Sequence, residues 1–276
     1  MFDTHCHLNF KAFDGRVEEV VDRARKAGVN YFVVPGTDVG TSKKAVAIAE
    51  KFDRAYAAVG IHPHHIFKFR IKNSELRIKE ELKQIEQLIG HPKVVAVGEV
   101  GVDRHVYKKT VYQVYQVGRD FIELQKLFFS EQIKLAYKYK KALIIHNREA
   151  GKEVLEILST NQQLTINNSI VFHCCEPDGE LLEFAKKHKI YIGVDGDVTY
   201  QKEKQNFVKK IPLELLVLET DSPFLLPRPL TSEINEPKNL NLIASFIATI
   251  VGIAKNKLIK ITEENSKKLF QIDLKA

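Results

Sequence analysis

The sequence predicts one (β/α)8 barrel, an α/β TIM-barrel fold, as a single domain over residues 1–276. Three observations carry that reading. Eight short β-rich runs recur at regular intervals, helical periodicity fills the stretches between them, and no Ser/Gly- or Pro-rich linker divides the chain. Length alone would allow either one large barrel or two modest domains. Strand then helix, eight times over, is the arithmetic of the barrel.

The first run is Phe2–His5. Val17, Val20, Val21 and Ala24 then mark one face of a helix, which Gly28 stops. The second and third runs are Tyr31–Pro35 and Ala55–Gly60. Ile78, Leu82, Ile85 and Ile89 recur at three and four residues, ending at Gly90, before the fourth run, Val94–Glu99. The last four runs are Leu143–His146, Ile170–His173, Ile190–Val194 and Leu215–Glu219. The apolar stretch from Leu242 to Ala254 is shorter than the about 20 residues of a membrane span and carries Ser245 and Thr249, so a packed core helix is expected.

Composition sets broad limits. Hydrophobic content of 44% and charged content of 28% suit a soluble globular chain, long enough to bury its core without disulfides. Cys6, Cys174 and Cys175 form an odd set with two adjacent members, which reads as a reducing cytosol. The start MFDTHCH lacks the basic stretch and apolar run of a signal peptide. A cytoplasmic protein with no membrane association and no obligate protein partner is expected. The net charge of +7 suits an anionic partner such as nucleic acid, although lysines spread over helix faces give the same count. No long basic run marks an arm or tail.

The polar residues fall at the strand ends. His5 and His7 end the first run, His62 and His64 follow the third, and Glu99 ends the fourth. His146 ends the fifth, His173 the sixth, and Asp221 follows the eighth. Carboxyl ends of barrel strands share one face, where active sites are built. His5 and His7 are two apart, so alternation sends both imidazoles one way and Cys6 the other. Glu99 lies in Val-Gly-Glu-Val-Gly, whose small residues admit a close approach by backbone or metal. Its two oxygens allow it to bridge two cations. His146 and His173 close the apolar runs Leu-Ile-Ile-His and Ile-Val-Phe-His, which read as buried strands. Asp221 could coordinate a metal while orienting or deprotonating its water.

Six such ligands exceed the three protein ligands of a mononuclear catalytic site. They divide into His5, His7, Glu99 and Asp221 around one ion and Glu99, His146 and His173 around another. Two divalent ions suit hydrolysis of phosphate esters, although the ligands alone do not choose phosphoester over amide or lactone. Glu99 and Asp221 are the catalytic candidates. Histidine-rich coordination favours Zn²⁺, Mn²⁺ or Ni²⁺ over Mg²⁺.

The ordered set Thr-His-Cys-His-Leu, Gly-Ile-His-Pro-His, Val-Gly-Glu-Val-Gly-Val-Asp, Ile-Ile-His-Asn-Arg-Glu-Ala and Leu-Glu-Thr-Asp-Ser-Pro resembles the TatD-related deoxyribonucleases. The resemblance runs from Met1 to about Phe270, where Asn265 and Leu269-Phe270 look like the closing Asn-x-x-x-Leu-Phe. It implies the same barrel, the same six metal ligands and membership of the metal-dependent hydrolase superfamily. His62, His64, Asp103 and Arg148 match positions that support ligands or face substrate, and Arg148 could hold a phosphate bidentately. The implied activity is exonucleolytic hydrolysis of DNA, single-stranded or at ends. The alternatives are hydrolysis of another ester, lactone or aminoacyl-tRNA, or nucleic-acid binding without catalysis.

The sequence departs from the family pattern at several places. Arg104-His105 follows Asp103 where a Tyr is common, and Cys174-Cys175-Glu176 replaces Phe-Ser-Gly. Near Arg228, Leu-Thr-Ser-Glu-Ile stands where Arg-Gly is expected before Asn235. The long segment from Arg104 to Gly118 interleaves Tyr107, Tyr112 and Tyr115 with Lys108 and Lys109, a pattern able to stack bases and hold phosphates. These departures leave the metal ligands alone and fall where substrate would be recognised.

Overall fold

A computed structural model of the chain describes residues 1–69, 74–106, 117–161 and 169–272. Eight strands run in the order β1 (Phe2–Asp3), β2 (Tyr31–Pro35), β3 (Ala55–Val59), β4 (Val94–Asp103), β5 (Ala142–Arg148), β6 (Ile170–Phe172), β7 (Tyr191–Val194) and β8 (Leu216–Leu218). Each pairs in parallel with the next, so sequence order is spatial order. The helices between and after them are α1 (Val17–Lys26), α2 (Val39–Lys51), α3 (Ser74–Ile89), α4 (Arg119–Lys138), α5 (Gly151–Thr160), α6 (Gly179–His188), α7 (Lys202–Val208), α8 (Leu240–Val251) and α9 (Lys255–Leu269). The seam between β8 and β1 is joined by Thr4 N to Leu218 O at 3.1 Å, Asp221 N to His5 O at 2.9 Å and His7 N to Ser222 O at 2.8 Å. These bonds lay His5 and His7 beside Asp221, three of the candidate ligands.

Strand alternation divides the apolar side chains into two layers. Along β2, Val33 joins Phe2, Ala58, Ala96, Ile144, Val171 and Val217 inside the barrel, while Phe32 and Val34 face the helices. Leu269 and Phe270 at the end of α9 complete the inner cluster, with the Phe2 and Phe270 rings stacked at 5.8 Å. The apolar stretch expected as a core helix is α8, which buries Leu240, Ile243, Ala244, Ile247 and Ala248. No single helix among the described residues is long and apolar enough to cross a membrane.

Two strands outrun their sequence-based ends. β4 continues four residues past Glu99 and β5 two past His146. The register shifts between Val97 and Val100, which places a bulge at Gly98-Glu99. Gly101 adopts φ +147°, and a Cβ there would stand 2.0 Å from His146 O, so only glycine lets β5 come this close. The small residues around Glu99 thus admit backbone. Glycine lowers strand propensity, which is why the pattern stopped at Glu99.

Helix α4 pins the loops after β3 and β4. Gln125 and Gln132 are seven residues apart, two turns along one face. Gln132 Oε1 accepts from Ile61 N at 2.7 Å and its Nε2 donates to Ile61 O at 3.1 Å. Gln125 does the same for Asp103, at 2.7 and 3.1 Å. Each amide replaces a missing neighbouring strand. Gln132→Leu would strand the buried N–H and C=O of Ile61, and a loss of about 2–4 kcal/mol in unfolding free energy is expected. Urea unfolding checks it; a loss below about 0.5 kcal/mol would show that the clamp is not structural.

Candidate metal centre

Hydrogen bonding to and from the backbone fixes the candidate ligands near the chain's two ends. Asp3 Oδ1 accepts from Thr220 N at 3.0 Å and His5 N at 3.3 Å, and its Oδ2 accepts from Thr220 Oγ1 at 2.6 Å. Burial pushes the Asp3 carboxyl up to about 8. Cys6 turns away, as alternation requires, with Sγ 3.6 Å from Val33 O. Asp221 takes a left-handed backbone, φ 49°, unusual for a residue with a Cβ, and is held by the seam bond to His5.

All six expected ligands converge. His5 Nε2 and His7 Nε2 stand 3.1 Å apart. Glu99 Oε2 lies 3.4 and 3.6 Å from them, and Asp221 Oδ1 3.8 and 3.5 Å. The other Glu99 oxygen, Oε1, lies 2.9 Å from His146 Nδ1, 3.5 Å from His62 Nε2 and 3.7 Å from His173 Nε2. One buried carboxylate therefore looks two ways. His173 was expected beside His146. Instead its ring stacks on His5 at 3.4 Å and its Nε2 lies 3.8 Å from Asp221 Oδ1, while His62 flanks His146.

The supporting residues divide clearly. Asp103 Oδ2 lies 2.7 Å from His146 Nε2 and 2.8 Å from His64 Nε2. Arg148 is exposed and lines the cavity above the centre. His65 faces Asp38 at the start of α2, and His91 pairs with Glu50. Tyr107, Lys108, Lys109, Tyr112 and Tyr115 lie outside the described residues.

Hydrogen bonds to His62 and His146 and the ion-pair contact of His173 with Glu219 indicate the ring protons. His62 Nδ1 accepts from His64 N at 3.1 Å, so a neutral His62 carries its proton on Nε2 and cannot ligate there. His173 has the opposite arrangement. Its Nδ1 lies 3.0 Å from Glu219 Oε1, which places the proton there and frees Nε2. Asp103 Oδ2 accepts from His146 Nε2 at 2.7 Å, which leaves Nδ1, 2.9 Å from Glu99 Oε1, as the nitrogen a cation would meet. With protons as the only counter-charges, burial would lower both histidines. Asp103 and Glu99 outweigh it and push His146 up to about 9, and Glu219 does so for His173, up to about 10. Burial opposes the charge on Glu99, but His62, His5 and His146 hold it well below the usual carboxylate range. Burial pulls His62 down to about 3.

Two groups escaped the sequence reading. Glu219 is held by Cys174 N at 2.6 Å and Thr4 Oγ1 at 3.2 Å, and its place at the end of the eighth run was the available signal. Lys204 is fully buried, with Nζ 3.0 Å from Asp195 Oδ2 and 2.7 Å from Asp197 Oδ1. A lysine in a polar helix gives no such signal.

The cavity over the centre measures about 1120 Å³. Among the described residues its lining includes Glu99, Glu176, Asp178, Asp197, Glu203 and Asp221, and, besides histidines, the cationic side chains Arg148 and Lys204. The chain's positive charge therefore lies mainly elsewhere. Groups of His and carboxylate ligand atoms within 4.8 Å of one another, His5–His7–Glu99, His5–His173–Asp221 and His62–Glu99–His146, fit divalent cations, which would offset this negative lining.

Residues 2–271 match the family model described as TatD related DNase. The chain is 34% identical over 275 residues to a Bacillus subtilis protein named uncharacterized metal-dependent hydrolase YabD, covering 99% of this chain and 100% of that one. It is 31% identical to the Escherichia coli K12 protein named 3'-5' ssDNA/RNA exonuclease TatD, covering 99% of each. The crystal structure of YJJV, a TatD homolog from Escherichia coli K12, superposes with a TM-score of 0.85 at 27% identity, covering 99% of this chain and 98% of that one. Motif order, barrel and whole-length matches agree: the chain is a metal-dependent hydrolase of the TatD related DNase family.

Proposed function

We propose that this hydrolase cleaves phosphodiester bonds of DNA from an end, using two divalent cations that share Glu99. The observation that carries the proposal is the Glu99 carboxylate, whose Oε2 faces His5 and His7 while Oε1 faces His146 and His173. His5, His7, Glu99 and Asp221 would hold one cation, and Glu99, His146 and His173 the other. The proton assignment favours His173 over His62 as the second group's histidine. Such cations would polarise the phosphoryl group and activate water. The named activity of the Escherichia coli TatD relative supports a single-stranded substrate.

The chain's own residues do the positioning. Asp221 orients or deprotonates the attacking water, and Arg148 grips a non-bridging phosphate oxygen pair. The Nε2 proton of His62 points at the same face and donates to the substrate. Asp103 and Glu219 keep His146 and His173 in the ligating tautomer. The carboxylate-rich cavity lining favours a second reading, hydrolysis of a neutral ester or lactone on the same centre. A substrate panel separates the two.

Labelled single-stranded DNA should be shortened from one end in Mg²⁺ or Mn²⁺. A folded protein inert with every divalent metal would refute the nuclease reading. Glu99→Ala should lower cleavage at least about 1000-fold while the protein stays folded by circular dichroism. His146 and His173, pushed up to about 9 and 10, are protonated at pH 7 and must lose those protons to ligate. Metal affinity should therefore rise with pH from about 7 toward 9–10, with release of about two protons at pH 7. Calorimetry in buffers of different ionisation enthalpy measures this; heats independent of buffer would contradict the assignment.

A further inference from the structure

Among the described residues an apolar shelf borders one side of the candidate metal centre. His7 stacks on Phe10 at 4.2 Å, and Phe224 meets Phe10 edge-on at 6.1 Å and His7 at 6.3 Å. Phe224 lines the cavity with half of its surface in water, beside Leu225. Its backbone is tightly held. Phe224 N donates to Asp221 O at 2.8 Å, and the buried Asn235 amide donates to Phe224 O at 2.6 Å and Thr220 O at 2.9 Å. Asn239 Nδ2 braces Asn235 Oδ1 in turn, at 3.0 Å. A large apolar ring presented to solvent from so fixed a backbone contributes little to packing the core.

Another part of the described cavity wall carries carboxylates. Glu176, Asp178 and Glu203 line it, and their charge disfavours a polyanion on that side. The ring of Phe224 lies within one nucleotide's reach of His7, whose Nε2 faces the catalytic Glu99. Every base offers a π-face, so a rigid aromatic at this position binds bases without reading sequence.

We propose that Phe224 is the stacking platform for the nucleobase adjoining the scissile phosphodiester. The proposal rests on the nuclease reading above. The test uses single-stranded oligodeoxynucleotides in Mn²⁺, either intact or with an abasic residue beside the first scissile bond. Phe224→Ala should raise KM for the intact strand about 10- to 100-fold, with kcat within about twofold. The abasic strand should show no further loss, and Phe224→Trp should restore the intact value. A 2-aminopurine at that position should be quenched on binding to the wild-type protein and to Phe224→Trp, and not to Phe224→Ala. Equal losses on both strands, or no loss on either, would overturn the platform. If the wild-type protein cleaves neither strand, the nuclease reading falls and this proposal falls with it. Normal cleavage with a silent Phe224→Ala removes the platform alone.

Discussion

A carboxylate buried at the mouth of a barrel is tolerable only when it is compensated from every side, and Glu99 is compensated by histidines on both of its oxygens. Unpaired, such a charge would carry a penalty of several kcal/mol. Much of the local architecture serves this arrangement. The bulge at Gly98-Glu99 turns the side chain into the mouth, and Gly101 lets β5 close in beside it. The seam between β8 and β1 brings His5, His7 and Asp221 to the same carboxylate from opposite ends of the chain.

Around that centre, backbone-anchored carboxylates hold the histidines. Asp3 fixes the peptide of His5, Asp103 the ring of His146, and Glu219 the ring of His173. Each is itself pinned: Asp3 by Thr220, Asp103 by Gln125 through its backbone, and Glu219 by the Cys174 amide. This orders the imidazoles without a cation and, for His146 and His173, sets which ring nitrogen keeps a proton once the ring is neutral. The cavity lining shows the other side of the design. Among the described residues it is rich in carboxylates, so on the proposed reading the cations and Arg148 would supply attraction for a phosphodiester there.

The fold was legible because strand alternation and helix periodicity are local, and all eight strands lie where the β-rich runs predicted them. The convergence of the six candidate ligands was legible because barrel topology places strand ends on one face. What was not legible depends on three-dimensional packing. The extension of β4 past Glu99 follows from a register shift against β5, which no single segment encodes. The placing of His173 against His5, rather than against His146, follows from ring stacking across the mouth. Lys204 gave no sequence signal because its partners, Asp195 and Asp197, meet it only when α7 packs beside the end of β7.

The central claim is that Glu99 lies between two cations. Anomalous diffraction from crystals soaked in Mn²⁺ tests it most directly. The account predicts two peaks, both touching Glu99, one bordered by His5, His7 and Asp221 and the other by His146 and His173, with His62 outside ligating distance. A single peak, a pair that avoids Glu99, or His62 in the place of His173 would contradict it.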